Sequence, residues 1–332
     1  MRIGMILNPY SKKNKRDPKR KDRLREILGN KGILTTTQSL QEIRPALEHF
    51  IQEKVTHFLS DGGDGTFHWV VNILQQCLED GVLEKFPLCL PTNSGTMNCA
   101  NNKVKVLGTG EEILMRLLNS SGSLPTYSLP TLQVDAEMVD GTHFKKICFA
   151  GAVLGIGPNF FEKYYRHPNR GPATMVAVIA KGVLSMFFNT AIIRLIPVPS
   201  IWKNYSKDLT RLTSAKVFLD EEELPIQRFR IINVGAYNQN FANIIRLFQF
   251  GKDGKMHCQL GYLSMFGVVA NIPNLVFGRK LFGRQVWDQP GLKLECLCLE
   301  EKGFLSNWDG EVFSGFRKVT LTPGRTLPIP IC

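Results

Sequence analysis

The pattern of hydrophobic and polar positions changes about one third of the way along the chain. Over the first 120 residues, short apolar runs alternate with segments whose apolar residues recur at helical spacing. The runs predict strands at Arg2–Leu7, Gly32–Thr37, Val55–Leu59 and Phe86–Leu90, and the periodic segments predict helices at Pro18–Leu28, Leu40–Glu53 and Phe67–Leu78. This alternation predicts a parallel sheet covered by helices, with ligands at the carboxyl ends of its strands.

Beyond about Thr131, strand-like runs follow one another directly and are interrupted by one long apolar helical region. The predicted strands are Thr131–Val139, Lys145–Ala150, Ala215–Leu219, Arg228–Ala236, Leu292–Leu299 and Lys318–Thr322. Such a series is typical of a mostly antiparallel β domain. The boundary falls in residues 120–130, which are rich in Ser, Gly and Pro. A chain of 332 residues is long enough for two such domains.

Positive charge is concentrated near the start of the chain. The formal net charge is +12, and residues 11–25 contain nine Lys or Arg against two Asp. This segment is either a solvated surface or a binding site for an anionic partner, such as a phosphorylated ligand, a membrane or a nucleic acid. No nucleic-acid-binding motif accompanies it. We therefore expect contact with an anionic membrane surface and no nucleic acid.

Two apolar stretches reach the length of a membrane span, but each contains an interruption. Residues 173–193 include Lys181, and residues 258–278 include Pro273, so both are predicted to be buried or to lie on a surface. The aromatic segments Phe160–Tyr165 and Tyr262–Phe282 could form either core or a lipid-facing surface. The eight cysteines lack metal-binding spacing and are interpreted as reduced thiols. The expected location is cytoplasmic with peripheral membrane association.

The strongest motif is Asp61-Gly62-Gly63-Asp64-Gly65-Thr66, which follows a predicted strand and precedes a helix. Glycines let the backbone approach an anion closely, and a helix N-terminus presents free N–H groups to phosphate. Thr66 adds a hydroxyl, and Asp64 could act on Mg²⁺ directly or through a bound water. The GKS/T ending of the Walker P-loop is missing. The alternative interpretation is an ordinary tight turn.

Polar residues also follow the other three strands of the predicted sheet. The fourth strand is followed by Ser94, Gly95, Thr96 and Asn98, the first by Asn8 and Ser11, and the second by Thr37. Parallel strands end at one edge, so these residues are expected to converge on one nucleotide.

The ordered motifs resemble the superfamily of diacylglycerol kinases, sphingosine kinases and bacterial lipid kinases. GGDGT at 62–66 is similar to its phosphate loop, NPYS at 8–11 to its NPxSG, and SGTMN at 94–98 to its GTxND. Thr37 has the expected spacing before Gly62, and Asp309-Gly310-Glu311 resembles its D-G-E motif.

The resemblance implies an N-terminal domain of Rossmann-like α/β type, similar to NAD kinase and phosphofructokinase, followed by a β-sandwich domain. The expected bounds are 1–128 for the nucleotide-binding domain and 129–317 for the lipid-substrate domain, with a C-terminal strand at about 318–332 packing back onto the first domain. It also implies ATP and Mg²⁺ as cofactors, Asp309 as the general base or its organiser, and Glu311 near the nucleotide. A homodimer is compatible with the sequence.

The sequence departs from the family at three places. Cys99 stands where many relatives carry Asp, NPxSG becomes NPYSK, and the acidic metal-binding segment reads Gly251-Lys252-Asp253-Gly254-Lys255-Met256-His257. Asp253 alone remains there as a candidate metal ligand. We therefore predict an ATP-dependent lipid kinase acting on a primary hydroxyl, as in diacylglycerol or a sphingoid base. The alternatives are a catalytically weak nucleotide or lipid sensor of the same fold, and a NAD kinase-like enzyme. The sequence does not identify the lipid.

Overall fold

A computed structural model describes residues 1–120, 124–169, 171–188, 199–241 and 244–332. The chain divides into two compact units. Unit 1 comprises Met1–Thr131 and Arg325–Cys332, and unit 2 comprises Leu132–Gly324. Both the beginning and the end of the chain therefore belong to unit 1.

Unit 1 is built on a parallel sheet of four strands in the order β2-β1-β3-β4. These strands are β1 (Ile3–Leu7), β2 (Gly32–Thr36), β3 (His57–Asp61) and β4 (Leu88–Pro91). The central strand β1 is entirely buried, because the sheet is covered by helices and apolar side chains on both faces are removed from water. The predicted parallel α/β domain is confirmed.

In the described part of unit 1, six α-helices accompany this sheet. They are α1 (Lys12–Arg16), α2 (Arg20–Leu28), α3 (Ile43–Gln52), α4 (Asp64–Glu79), α5 (Cys99–Val104) and α6 (Gly110–Asn119). Helix α6 begins with a capping box, in which Thr109 and Glu112 satisfy each other's backbone N–H groups. Helix α4 begins at Asp64, three residues before the start at Phe67 that its apolar period predicts. The N–H of Phe67 donates to the Gly63 carbonyl, which is the first hydrogen bond of the helix. The glycine-rich motif thus forms the first turn of the helix.

A separate antiparallel pair completes unit 1. It joins β5 (Thr126–Leu129) to β20 (Leu327–Pro330), the last strand of the chain. The C-terminal segment was predicted to return from about residue 318. Residues 318–323 instead continue a long strand of unit 2, and only the segment from Arg325 onward belongs to unit 1.

The part of unit 2 that the structure describes is dominated by antiparallel strands, as predicted. Twelve of them form one hydrogen-bonded network, namely β6 (Leu132–Met138), β7 (His143–Cys148), β8 (Gly151–Gly155), β9 (Thr213–Leu219), β10 (Glu222–Glu223), β11 (Arg228–Phe229), β12 (Ile231–Gly235), β15 (Met256–Tyr262), β16 (Gln285–Gly291), β17 (Leu294–Cys298), β18 (Phe304–Trp308) and β19 (Glu311–Pro323). A short hairpin, β13 (Gln239–Phe241) with β14 (Ile245–Leu247), lies outside it.

Strand β19 is the junction of this network. Its first half pairs with β18, and its second half pairs with β6 on one side and β17 on the other. The inward side chains share one core, whose largest fully buried members include Trp308, Phe229, Phe304 and Phe316. A two-domain chain with a strand-rich second domain is therefore confirmed.

Unit 2 also contains the helices α7 (Ile156–Tyr165), α8 (Pro172–Phe187), α9 (Ser200–Leu209) and α10 (Met265–Phe277). The apolar stretch 173–193 is mostly α8, and its residues 189–193 lie outside the described part. The stretch 258–278 contains the end of β15 and the whole of α10. Among the described residues, no helix is both long and apolar enough to cross a membrane.

All eight cysteines are free. Cys77, Cys89, Cys148, Cys258 and Cys296 are buried, and the other three are partly exposed. Burial raises the pKa of the Cys89 and Cys148 thiols, which keeps them protonated and unreactive at neutral pH.

Candidate active site

The loops that follow the strands of unit 1 are tied to one another by direct contacts. The Asn8 side chain, after β1, donates from Nδ2 to Thr66 Oγ1 at 2.9 Å. The backbone N–H of Cys99, at the start of α5, donates to Asp64 Oδ1 at 2.8 Å. Residues that the sequence places after three different strands are therefore held together at one sheet edge.

Two glycines in this assembly are required by packing. A Cβ atom on Gly95 would lie 2.4 Å from the Gly63 Cα, and one on Gly62 would lie 2.2 Å from Thr66 Oγ1. Real side chains do not approach so closely. The 62–66 loop and the 94–98 loop consequently pack backbone against backbone, a close approach that only glycine permits.

Asp64 and Asn98 fix the shape of these loops. Asn98 adopts a left-handed backbone conformation with φ of 49°, and its Oδ1 accepts the Gly95 N–H at 3.1 Å. Asp64 is the first residue of α4, where a carboxylate is stabilised by the helix dipole. The backbone N–H of Cys99, and not its side chain, donates to Asp64. Cysteine in place of the aspartate expected from the motif therefore removes a carboxylate but keeps this contact.

Asp61, the first residue of the motif, has a different role from the one its position indicates. It is fully buried and forms a two-pronged ion pair with Arg20, with distances of 2.7 Å from Nη1 to Oδ2 and 2.9 Å from Nη2 to Oδ1. Its oxygens also accept hydrogen bonds from Asn14, Thr92 and Ser94. Asp61 therefore anchors the base of the loop, and its charge is already matched by an arginine.

Arg20 is a residue that sequence reasoning missed, because it looked like one more cation in the basic segment. It is only 3% exposed, and its Nε also donates to Glu111 Oε2 at 3.0 Å. Burial disfavours its charge, but Asp61 and Glu111 more than offset this and hold the pKa of Arg20 above its ordinary value. Arg23 pairs with Asp17 and Glu111. Arg25 pairs with Asp22 at 3.7 Å, so three of the nine basic side chains bind acids of unit 1.

The remaining predicted nucleotide residues differ in exposure. Ser94 is fully buried and donates its hydroxyl to Asp61 Oδ1 at 2.8 Å, so it supports the loop from beneath. Thr37 is buried, and its N–H donates to the Leu7 carbonyl at 3.0 Å. Ser11 is buried at the start of α1, and its hydroxyl has no hydrogen-bond partner among the described residues. Thr96 is exposed and Gly65 partly exposed.

Asp309 lies in unit 2, where Asp309-Gly310 is the two-residue turn between β18 and β19. Both residues have positive φ, 52° and 97°, and Trp308 pairs with Glu311 across the turn. This is the hairpin geometry that Asp-Gly sequences favour. Tyr165 fastens the turn by donating its hydroxyl to the Gly310 carbonyl at 2.6 Å.

The Asp309 carboxylate does more than form the turn. It accepts three backbone N–H groups, from Phe149 at 3.0 Å, Ala150 at 2.8 Å and Gly151 at 3.2 Å. These donors belong to the corner between β7 and β8, and they fix the orientation of a carboxylate that is 8% exposed. Glu311 is the first residue of β19 and is partly exposed.

Asp253 occupies an exposed turn before β15, between Lys252 and Lys255. The flanking residues are basic, so that turn offers one carboxylate only. Among the described residues, no group of three or more His, Cys, Asp or Glu side chains is arranged to hold a metal. Mg²⁺ that binds together with phosphates usually takes only one or two carboxylates from the protein. Asp64 fits that mode.

Residues 2–123 match the family model described as the diacylglycerol kinase catalytic domain. Over these residues, the chain is similar to that catalytic domain. The resemblance drawn from the motifs is thereby confirmed. No curated protein matches the chain.

Solved structures described as diacylglycerol kinases share the fold over the whole chain. A candidate diacylglycerol kinase from Bacillus anthracis str. Sterne has a TM-score of 0.63 at 13% identity, covering 100% of this chain and 97% of its own. A second structure, described as a diacylglycerol kinase from the same organism, has a TM-score of 0.57 at 14% identity with the same coverage. At these identities the likeness shows the fold alone.

Proposed function

We propose that the protein transfers the γ-phosphate of ATP to a primary hydroxyl of a lipid, such as diacylglycerol or a sphingoid base. The observation that supports this most is the contact between the 62–66 and 94–98 loops, which are tied together by Gly63, Gly95, Asp64 and Cys99. A tight turn with no ligand role would not require a second glycine-containing loop packed against its backbone.

Each side chain then has a definite task. The N–H groups at the start of α4 bind phosphate oxygens, because the first turn of a helix has unpaired donors. Asn8 and Thr66, joined at 2.9 Å, hold the first loop beside the phosphates. Mg²⁺, when bound, offsets the charge of the phosphates, and Asp64 is the carboxylate of unit 1 that would hold it.

Asp309 is proposed to accept the proton of the lipid hydroxyl, or to orient the group that accepts it, as the hydroxyl attacks phosphorus. Its three backbone donors hold the carboxylate in one orientation. Glu311, two residues further along the same hairpin, is proposed to lie near the nucleotide.

One observation favours a second candidate, a nucleotide or lipid sensor with weak activity. Cys99 leaves Asp64 without the neighbouring acid that many relatives carry, and Asp253 also stands between two lysines. A sensor would bind ATP but transfer phosphate slowly. The NAD kinase-like alternative is less favoured, because residues 2–123 match the diacylglycerol kinase model.

The experiment is a transfer assay with labelled ATP, Mg²⁺ and a panel of diacylglycerol, sphingosine, ceramide and monoacylglycerol, alongside Asp309→Asn. We expect label on one lipid, and a loss of about a hundredfold or more in the variant, the scale of a removed general base. Asp253→Asn is the matched control, and its activity should be close to that of the unmodified protein.

Binding of ATP to the protein and to Asp309→Asn is measured separately. ATP binding without transfer to any lipid would replace the kinase proposal with the sensor. Absence of ATP binding would overturn both.

A further inference from the structure

Helix α10 in unit 2 presents an apolar face to the outside. Its thirteen residues, Met265–Phe277, include no charged side chain. The inner face packs through Val268 and Leu275 against the small cluster of Ile231, Leu263 and Leu281. The outer positions recur at the spacing of one helical face, and all are exposed: Phe266, Ala270, Pro273 and Phe277. A surface helix normally has polar residues there.

The two aromatic side chains on this face are among the most exposed large apolar groups of the protein. Phe266 is 66% exposed and Phe277 is 63% exposed. Ser264 caps the helix by accepting the Gly267 N–H at 3.0 Å, and Gly278 ends it with φ of 66°. The helix is therefore a well-defined element, and its outward apolar residues are not explained by fraying.

The loop after the helix extends the same surface. Asn271 binds both backbone groups of Phe282, accepting its N–H at 2.9 Å and donating to its carbonyl at 3.0 Å. Asn274 donates to the Lys280 carbonyl at 2.7 Å. These bonds fasten the loop beside α10 and leave the Phe282 side chain 56% exposed. We call Phe266, Phe277, Phe282 and the loop residues 278–284 the α10 surface.

The charged residues of the α10 surface are all basic. Between Asp253 and Asp288 the chain contains no Asp or Glu, whereas Arg279, Lys280 and Arg284 are exposed on the loop. Arg246 lies next to Gly278: the Cδ atom of Arg246 is 3.2 Å from the position that a Cβ atom on Gly278 would take. None of these four has an acidic partner among the described residues, and Arg279 lies over the Phe277 ring at 5.6 Å.

Exposed aromatic side chains surrounded by cations fit one kind of partner especially well. At a bilayer surface the rings enter the boundary between headgroups and acyl chains, while arginine and lysine contact anionic headgroups. A symmetric contact with a second copy would instead bring the same cations against each other. We propose that the α10 surface docks on membranes that carry anionic lipid. This proposal does not depend on catalytic activity.

The experiment measures co-sedimentation of the full chain with vesicles of phosphatidylcholine alone or mixed with phosphatidylglycerol. Phe266→Ser with Phe277→Ser removes the aromatic side chains. Arg279→Gln with Lys280→Gln and Arg284→Gln removes three charges. The matched control, Lys15→Gln with Arg16→Gln and Lys19→Gln, removes three exposed charges from the N-terminal basic segment. It therefore tests the membrane contact expected for residues 11–25.

We expect binding to the mixed vesicles, weakened by salt. The affinity for the mixed vesicles should fall on the order of a hundredfold in the loop charge variant. Each cation near the surface contributes about fivefold, and the variant removes three of them. Binding should be lost in the aromatic variant and change little in the N-terminal control. All substituted side chains are exposed, so melting temperatures should match that of the unmodified protein.

Three outcomes would overturn the proposal: no binding to either vesicle, a loss confined to the N-terminal control, or a dimer abolished by the aromatic variant. Asp309→Asn, measured in the absence of ATP, should bind vesicles like the unmodified protein. The two proposals can therefore be told apart. Vesicle binding can be absent while phosphate transfer is observed, and phosphate transfer can be absent while vesicle binding is observed.

Discussion

Each unit buries a pair of side chains that can carry opposite charges, but the two pairs differ in how fully they are hydrogen-bonded. In unit 1, Arg20 donates through all three of its nitrogen atoms, to Asp61, Glu111 and Asn14. In unit 2, His257 Nε2 lies 2.6 Å from Asp288 Oδ1 without hydrogen-bond alignment. Its Nδ1 has no partner among the described residues.

The surroundings of the two pairs explain the difference. Asp61 lies where loops and helix starts supply hydroxyl and amide donors. His257 is on strand β15, where its ring meets Phe248 and Phe250 edge-on at 6.1 Å each. Asp288 is held mainly by the Leu281 N–H and by Gln259. A buried pair of ionisable side chains is thus part of a complete polar network in unit 1 and lies against aromatic packing in unit 2.

The largest effect is expected for Arg20→Met. The substitution leaves Asp61 buried without its cation, which typically costs about 3–5 kcal/mol of the free energy of unfolding. Urea unfolding followed by circular dichroism measures it. Arg25→Met on the same helix is the control, because Arg25 is exposed and should change stability by no more than about 0.5 kcal/mol.

A double variant sharpens this test. Arg20→Met with Asp61→Leu removes both charges and should recover part of the loss, since a buried pair contributes less than its broken half costs. Equal stability of the Arg20 and Arg25 variants would show that the network is not a stabilising element.

A smaller effect is expected for His257→Leu. Asp288 keeps its bonds from Leu281 and Gln259, and leucine is close to the imidazole in size. The loss should be about 1–2 kcal/mol, the scale of one imperfectly satisfied polar group. Urea unfolding measures the free energy of unfolding of this variant and of Arg20→Met in parallel. A loss as large as that of Arg20→Met would mean that the two pairs are equivalent and that our comparison is wrong.

The smallest effect concerns His57, at the start of β3 beside the Thr56 hydroxyl. Burial lowers the pKa of His57 below its ordinary value of 6.5. The unfolded chain therefore binds this proton first as pH falls below 6.5, so stability should decrease on acidification. His57→Gln should flatten the change in melting temperature between about pH 7.5 and about pH 5.5. If the change of melting temperature with pH is the same in the variant, His57 does not contribute to the pH dependence of stability.

Sequence patterns predicted the four strands of the parallel sheet and the helices α2, α3 and α4, because each of these buries a recognisable set of apolar positions. Helices α1, α5 and α6 were not predicted. The patterns were less informative in unit 2. The run from 258 to 278 is apolar throughout, so its period could not separate strand β15 from helix α10. Strand β18 escaped notice because Asn307 and Ser306 are buried in it despite being polar.

The candidate site shows the same limit at the level of single residues. Motif spacing placed Asn8, Asp64, Thr66, Gly95 and Asn98 at one sheet edge, where the structure has them. It did not show that Asp61 and Ser94 are buried beneath the loop, because a local motif does not reveal a partner such as Arg20, 41 residues away. Asp309 was chosen from its motif, whereas its three backbone donors belong to residues 149–151.

The pairing of β20 with β5 has a consequence for how the protein is made. Strand β5 leaves the ribosome early, but its partner follows only after all of unit 2 has been synthesised. At 5–20 residues per second, those intervening residues take on the order of ten to forty seconds. For that interval, β5 of the nascent unit 1 lacks the strand with which it pairs, and the two-stranded sheet forms only when β20 arrives.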